Sequence, residues 1–285
     1  MDDKYEARTE RLDQYVVNHL DGESRAFAAK LIDRGDVTVN GEKQRSSYRV
    51  RVSDNIVINY DPDEVHDIPD IDLPVIYEDD DCVIISKPLG LLSHSKGAFN
   101  PEATVATWLS SRLKDMEGDR AGIVHRLDRA TSGVMICAKT PEALSWLQKQ
   151  FSQRKVKKTY LAIVKGEFKE PEAVIDMPII RNPKKPQTFR VGSNGKSALT
   201  AYKVLDFNGK YSLVELKPTT GRTHQLRVHL VHIGHPIVGD TFYGGKVAER
   251  LYLHAHQLEL TLPSRSRETF TVEPPKEFKE FMSKS

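Results

Sequence analysis

From residue 74 onward the chain breaks into many short apolar runs, and few stretches carry a helical period. Strand-like runs lie at residues 83–86, 134–138, 160–164, 201–205, 211–216, 251–254 and 257–262. One helix is predicted from a Thr140 cap with Pro141 in its first turn, burying Leu144, Leu147 and Phe151. A second is predicted to start near Thr223 and to stop at Gly234, with Pro236 just beyond. Many hairpin-like strands with few helices point to an α+β fold: a largely antiparallel mixed sheet with flanking helices.

The first 60 residues read as a separate small α+β unit. Leu12, Tyr15, Val16 and Leu20 follow helical spacing, and Ser24 is placed to cap a second helix through Leu31 and Ile32. Val37-Thr38-Val39 then alternates into Asn40-Gly41, a tight-turn dipeptide, and a short strand follows near residues 56–58. Residues 61–73 are acidic, contain Pro62 and Pro69 and show no period, so they read as an extended linker. The expected division is therefore 1–60, a linker at 61–73, and a large domain at 74–285.

Charge is unevenly spread along this plan. Residues 1–53 hold 10 Lys/Arg and 10 Asp/Glu, and residues 54–81 hold 11 acids with no Lys or Arg. The remainder carries 32 bases against 19 acids, a net of +13. A surface that positive suits a polyanion, although solvated helix faces would give the same count. No apolar run approaches a membrane span, and the Met-Asp-Asp-Lys start lacks a signal-peptide core, so a cytoplasmic protein is expected. Cys82 and Cys137 each sit beside Val or Ile and read as buried and reduced. His224, His229, His232, His235, His254 and His256 crowd two short stretches, but helical geometry turns His224 away from His229 and His232, so no metal site is predicted. Gly192-x-x-Gly195-Lys196-Ser197 is too short between its glycines for a phosphate loop. Ser132, His125 and Asp128 make a hydrolase triad only on paper, since no Gly-x-Ser-x-Gly elbow is present. No cofactor is expected.

Asp128, in His125-Arg126-Leu127-Asp128-Arg129-Ala130-Thr131-Ser132-Gly133, stands between two arginines in a polar loop that runs into a strand. A carboxylate that stays ionised in a poorly hydrated pocket needs a cation. Arg227 falls between Leu230 and Val231 on the apolar side of the second predicted helix, and an arginine there needs an anion. It is the candidate partner of Asp128. Arg222, near that helix's start, reads as a phosphate or loop contact or as an ordinary solvated side chain. Tyr160 opens a strand after the basic run Arg154, Lys155, Lys157 and Lys158, which suits either a phosphate track or a solvated helix end. Arg126 and Arg129 suit contact with a polyanion or support of the Asp128 loop. Arg11, Arg25, Lys30, Arg34 and Arg45 are available to an RNA clamp in the small unit.

The His-Arg-Leu-Asp loop resembles the signature of the RluA/RluD-type RNA pseudouridine synthases. Thr220-Gly221-Arg222-Thr223-His224-Gln225-Leu226-Arg227-Val228-His229 and Lys158-Thr159-Tyr160-Leu161-Ala162 resemble two further signatures of that family. Residues 73–90, with Lys87-Pro88-x-Gly90, resemble its first strands, although Ser86 replaces the usual Asn or Asp. Leu92-Ser93-His94-Ser95-Lys96-Gly97 stands where relatives often carry Val-His-Pro-Gly. Arg11-Leu12-Asp13, Ser24-Arg25 and residues 31–41 resemble an S4 RNA-binding domain. The resemblance implies that Asp128 is the catalytic residue, that Arg227 pairs with it, and that Tyr160 stacks on the target base. It implies that Arg126 fills the space of a uridine flipped from the RNA, because the sugar and C5 of a stacked uridine are out of an aspartate's reach. The expected substrate is structured RNA, with large-subunit ribosomal RNA favoured over transfer RNA. A monomer without an obligate protein partner is expected.

Overall fold

The computed structural model describes residues 10–20, 24–60, 68–94, 102–118 and 120–284. Residues 1–9, the 61–67 part of the acidic linker and Ser95-Lys96-Gly97 lie outside the described residues. Two compact units emerge, Met1–Asp67 and Ile68–Ser285.

The first unit holds helices α1 (Leu12–His19) and α2 (Arg25–Arg34) against strands β1 (Val37–Val39), β2 (Glu42–Lys43) and β3 (Ile56–Ile58). The Ser24 hydroxyl accepts from the Phe27 amide at 3.3 Å, the side-chain cap that the sequence predicts. β1 turns through Asn40-Gly41 into β2 and pairs antiparallel with β3 on its other side. Leu12, Val16, Leu31, Ile32 and Val37 are fully buried, so the helical and strand periods meet in one small core.

The second unit is built on a nine-stranded sheet. Its strands are β4 (Val75–Glu78), β5 (Cys82–Lys87), β6 (Ser132–Ala138), β7 (Lys157–Lys165), β8 (Glu172–Asp176), β11 (Leu199–Phe207), β12 (Tyr211–Pro218), β13 (Leu253–Thr261) and β14 (Arg267–Thr271). Between β8 and β11 the chain forms a separate hairpin of β9 (Ile179–Arg181) and β10 (Phe189–Val191). The order is β4-β5-β6-β13-β7-β12-β11-β8, with β14 also on β13. Every pairing is antiparallel except β6 with β13, where His254 faces Ser132 and Ala255 faces Gly133. The fold is α+β with a mixed, mostly antiparallel sheet.

Among the described residues, four α-helices accompany the sheet: α3 (Val105–Leu109), α4 (Pro141–Ser152), α5 (Gln225–His232) and α6 (Lys276–Ser283). α4 starts on the predicted cap, with the Thr140 hydroxyl accepting from the Ala143 amide at 3.2 Å. One core packs α3 and α4 on β5 and β6, and another packs α5 and α6 on β7 and β12. The two runs expected at 251–254 and 257–262 are one strand, β13, with a register shift between Ala255 and Gln257. Leu73, within the expected linker, is buried in the first of these cores. Cys82 and Cys137 are both free and buried.

Candidate active site

Asp128 belongs to a loop fastened on both sides. Leu127 is buried, and its amide donates to the Ser93 hydroxyl at 3.1 Å while that hydroxyl donates to the Leu127 carbonyl at 2.9 Å. One residue past Asp128, the Arg129 carbonyl accepts from the Gly90 amide at 2.9 Å and faces the Lys87 ammonium at 3.5 Å. The Asp128 carbonyl accepts from the Thr131 amide at 3.0 Å, closing a turn just before β6 begins. Backbone polar groups that would otherwise be orphaned thus set the loop's shape. Lys87 is fully buried, and burial lowers its pKa to about 8 against the opposing pull of Asp128.

Asp128 lines a cleft of about 150 Å³ together with Arg126, Lys158, Tyr160, Arg222, His224 and Arg227. It is the only acid on that cleft among the described residues. Arg227 Nη1 and His224 Nε2 each lie 3.8 Å from Asp128 Oδ2. Tyr160 is half-buried and does not open its strand, since β7 already begins at Lys157; burial, then the Asp128 charge, raise its pKa.

The helix α5 explains which of its residues serve the cleft. Gln225 and His229 bind backbone and side chains of neighbouring strands and loops. Gln225 Nε2 donates to the Leu199 carbonyl at 2.9 Å and to Thr200 Oγ1 at 3.0 Å, and its Oε1 accepts from the Thr220 hydroxyl at 2.7 Å. His229 Nε2 donates to the Met177 carbonyl at 2.9 Å and its Nδ1 accepts from the Thr200 hydroxyl. That leaves Arg227 and His224 for Asp128. The helix starts at Gln225 rather than near Thr223, because His224 takes up the left-handed conformation (φ 55°, ψ 21°).

Arg227 requires one correction to the sequence reading. It does lie beside Asp128, but its two close hydrogen bonds go to Asp240: Nε to Oδ2 and Nη2 to Oδ1, each 2.7 Å. Burial works against the arginine's charge, and the bonds to Asp240 more than offset it, so its pKa is raised. A bidentate pair of this kind fixes the guanidinium plane. Asp128 therefore meets an arginine already held by another carboxylate. Asp240, 1% exposed, was missed at the sequence level. The rule that an arginine in an apolar arc needs an anion also points to Asp240, the first acid after α5.

The remaining predicted site residues divide in two. Lys158, expected on a phosphate track, lines the cleft itself, donates to the Thr220 carbonyl at 3.2 Å, and is lowered by burial to about 8. Arg222 lines the cleft while its Nε donates to the Ser197 carbonyl at 3.0 Å. Arg126 is exposed at the cleft, with Nη1 3.5 Å from His94 Nε2. Arg129 is exposed and paired with Glu102. Arg154 and Lys155 are exposed, and Lys157 pairs with Glu259 at 3.0 Å. In the small unit, Arg11 and Arg25 both bind Asp13, at 2.9 and 3.0 Å, and Arg34 pairs with Asp36. Lys30 is exposed on α2.

A triad of Ser132, His125 and Asp128 does not form. His125 Nε2 accepts from the Ile136 amide, its ring stacks on Phe151 at 4.6 Å, and burial lowers its pKa to about 3. The Ser132 hydroxyl donates to His254 Nδ1 at 2.9 Å and accepts from Arg250 at 2.7 Å.

Comparisons with known proteins place the chain in a family. The family described as RNA pseudouridylate synthase matches residues 81–232, and the S4 domain family matches residues 10–56. An uncharacterized RNA pseudouridine synthase of Aquifex aeolicus is 37% identical, covering 98% of this chain and 95% of that protein. Ribosomal large subunit pseudouridine synthase D of Borreliella burgdorferi is 38% identical, covering 96% and 89% respectively. Among solved structures, human RNA pseudouridylate synthase domain containing 4 superposes with a TM-score of 0.60 at 28% identity, over 74% of this chain and 92% of that one. A fastened aspartate loop on a basic cleft, in a chain matched over most of its length, leads to one conclusion: this protein belongs to the RNA pseudouridylate synthase family, an RNA isomerase carrying an S4 domain at its N-terminal end.

Proposed function

We propose that the enzyme converts specific uridines of large-subunit ribosomal RNA to pseudouridine and that Asp128 is the carboxylate acting on the ribose. One observation carries the assignment of Asp128: it is the single acid on the cleft among the described residues, and it faces the fixed Arg227 and the half-buried Tyr160. The ribosomal substrate is supported by the relatives called ribosomal large subunit pseudouridine synthase D.

In this reading the N1–C1′ bond breaks with help from the Asp128 carboxylate. The freed uracil turns over, C5 bonds to C1′, C5 loses its proton, and N1 ends protonated. No electrons are gained or lost overall. The Tyr160 ring packs against the base, and Arg126, exposed at the cleft, fills the gap left in the RNA stack, a place suited to a planar guanidinium. Lys158, Arg222 and the exposed Arg154 and Lys155 meet phosphates.

Tritium release from RNA labelled at uridine C5 tests both parts. Wild type should release tritium from ribosomal RNA, and Asp128→Asn should release none while still binding it. Release from transfer RNA alone would refute the ribosomal assignment. Undiminished release by Asp128→Asn would refute the catalytic one.

A further inference from the structure

We infer that His224 is a positioning residue for Asp128: with Arg227 it holds Oδ2, so that Oδ1 is the oxygen presented to the ribose. This rests on the reading of Asp128 as the reacting carboxylate.

Among the described residues, the two ion-pair contacts of the Asp128 side chain meet the same atom. His224 Nε2 and Arg227 Nη1 are each 3.8 Å from Oδ2. Arg227 has spent Nε and Nη2 on Asp240, so Nη1 is the part it turns to Asp128. A carboxylate held through one oxygen presents the other.

His224 is built for this place at a conformational cost. It is a non-glycine residue at φ 55°, immediately before α5, and its side chain is only 15% exposed. Such a backbone persists where surrounding contacts require it, and it turns the ring into the cleft. Tyr243 then selects the tautomer. The Tyr243 phenol oxygen accepts from the Phe189 amide at 2.9 Å and lies 2.8 Å from His224 Nδ1. Its own proton is left to be donated to Nδ1. Nδ1 is then an acceptor, and the ring proton resides on Nε2, the atom facing Asp128. Phe189 and Tyr243 both meet the ring edge-on at 5.7 Å, which restricts its rotation.

The charged groups around Asp128 define what this donor adds. Lys87 lies behind the loop, Tyr160 faces it from β7, and Arg227 and Tyr243 flank it, with Arg129 adjacent in the chain. Burial lowers the pKa of His224, against the opposing pull of Asp128, which favours the neutral ring. A neutral N–H orients an anion without cancelling its charge. At 3.8 Å both contacts are ion-pair distances, longer than hydrogen bonds, and each is expected to tighten toward Oδ2 as substrate binds.

The test uses the full-length protein and ribosomal RNA. His224→Asn keeps a residue that tolerates the left-handed backbone but is too short to reach Asp128. Its single-turnover rate should fall roughly 10–100-fold, the worth of one hydrogen bond to a charged group, with RNA Kd within about twofold. His224→Gln, whose amide nitrogen reaches where Nε2 stood, should recover part of the rate. Tyr243→Phe should slow the reaction in the same direction. Long-range proton–nitrogen spectra of histidine-labelled protein provide a second readout. The signal missing in His224→Asn should show a protonated Nε2 and a bare Nδ1. A protonated Nδ1, a His224→Asn rate within twofold of wild type, or a loss expressed only in Kd would each overturn the inference. Asp128→Asn run alongside separates the two readings: full activity there refutes the role of Asp128, whereas the tautomer is judged without reference to it.

Discussion

At the scale of single residues, one arginine serves two carboxylates. Asp240 is almost fully buried and Asp128 lines the open cleft, so Arg227 has one buried partner and one on the cleft. Arg227→Met strands the Asp240 charge, and breaking a buried pair from one side costs roughly 3–5 kcal/mol. Urea unfolding should therefore show a large loss of stability in addition to lost isomerisation. Adding Asp240→Leu removes the stranded charge and should restore most of the stability while activity stays lost. A single variant as stable as wild type would show that Asp240 does not depend on Arg227. From sequence, the apolar neighbours of Arg227 show that it needs an anion, and the His-Arg-Leu-Asp loop supplies a candidate. They do not show that residues 233–240 fold back beneath the helix. That return depends on contacts such as the His235 amide to the Leu230 carbonyl and the Val238 amide to the Ile163 carbonyl, which no local pattern announces.

At the scale of elements, the parallel join of β6 and β13 places the aspartate loop. Gly133 lies at that join with φ 116°, and a Cβ there would sit 2.1 Å from the Ala255 carbonyl oxygen. Neither strand can yield without opening the sheet beside Asp128. Gly133→Ala should therefore destabilise the protein by several kcal/mol, roughly 3 or more. Gly209→Ala, also at positive φ but with open space around it, should cost only about 1–2 kcal/mol. Equal denaturation midpoints for the two variants would refute the steric argument. The interior strands are legible in sequence because both of their faces are buried: β6 is buried along its whole length, and Val83 to Ile85 and Ala162 to Val164 are runs of fully buried residues. The strands missed by pattern are those with exposed faces. β8 buries only Ile175 and β14 is exposed but for Phe270, so neither carries a hydrophobic period to read. The hairpin of β9 and β10 has three residues in each strand, too few for alternation to register. The short α6 escapes for a different reason, since its buried positions are only Phe278 and Met282.

At the scale of the whole molecule, the two units carry very different net charge. Residues 82–285 carry a net charge of +13, whereas residues 1–53 balance 10 bases against 10 acids. Within the first unit Arg11 and Arg25 share Asp13, whose pKa their hydrogen bonds lower to about 2 against the opposing effect of burial. Arg34 is likewise paired, with Asp36. Cations committed to neighbouring acids release fewer counterions when a phosphate arrives. Each phosphate neutralised contributes about 0.7–0.9 to the slope of log affinity against log salt. Removing residues 1–67 should therefore weaken binding of structured ribosomal RNA yet lower that slope by only about 1–2, with most of it surviving in the remaining unit. The core of that unit is its own, so tritium release at saturating RNA should persist. Binding titrations across a salt series, on full-length and truncated protein, measure both quantities. A slope that collapses on truncation would make the S4 unit the main electrostatic anchor. An unchanged affinity would show that it contributes nothing to holding this RNA.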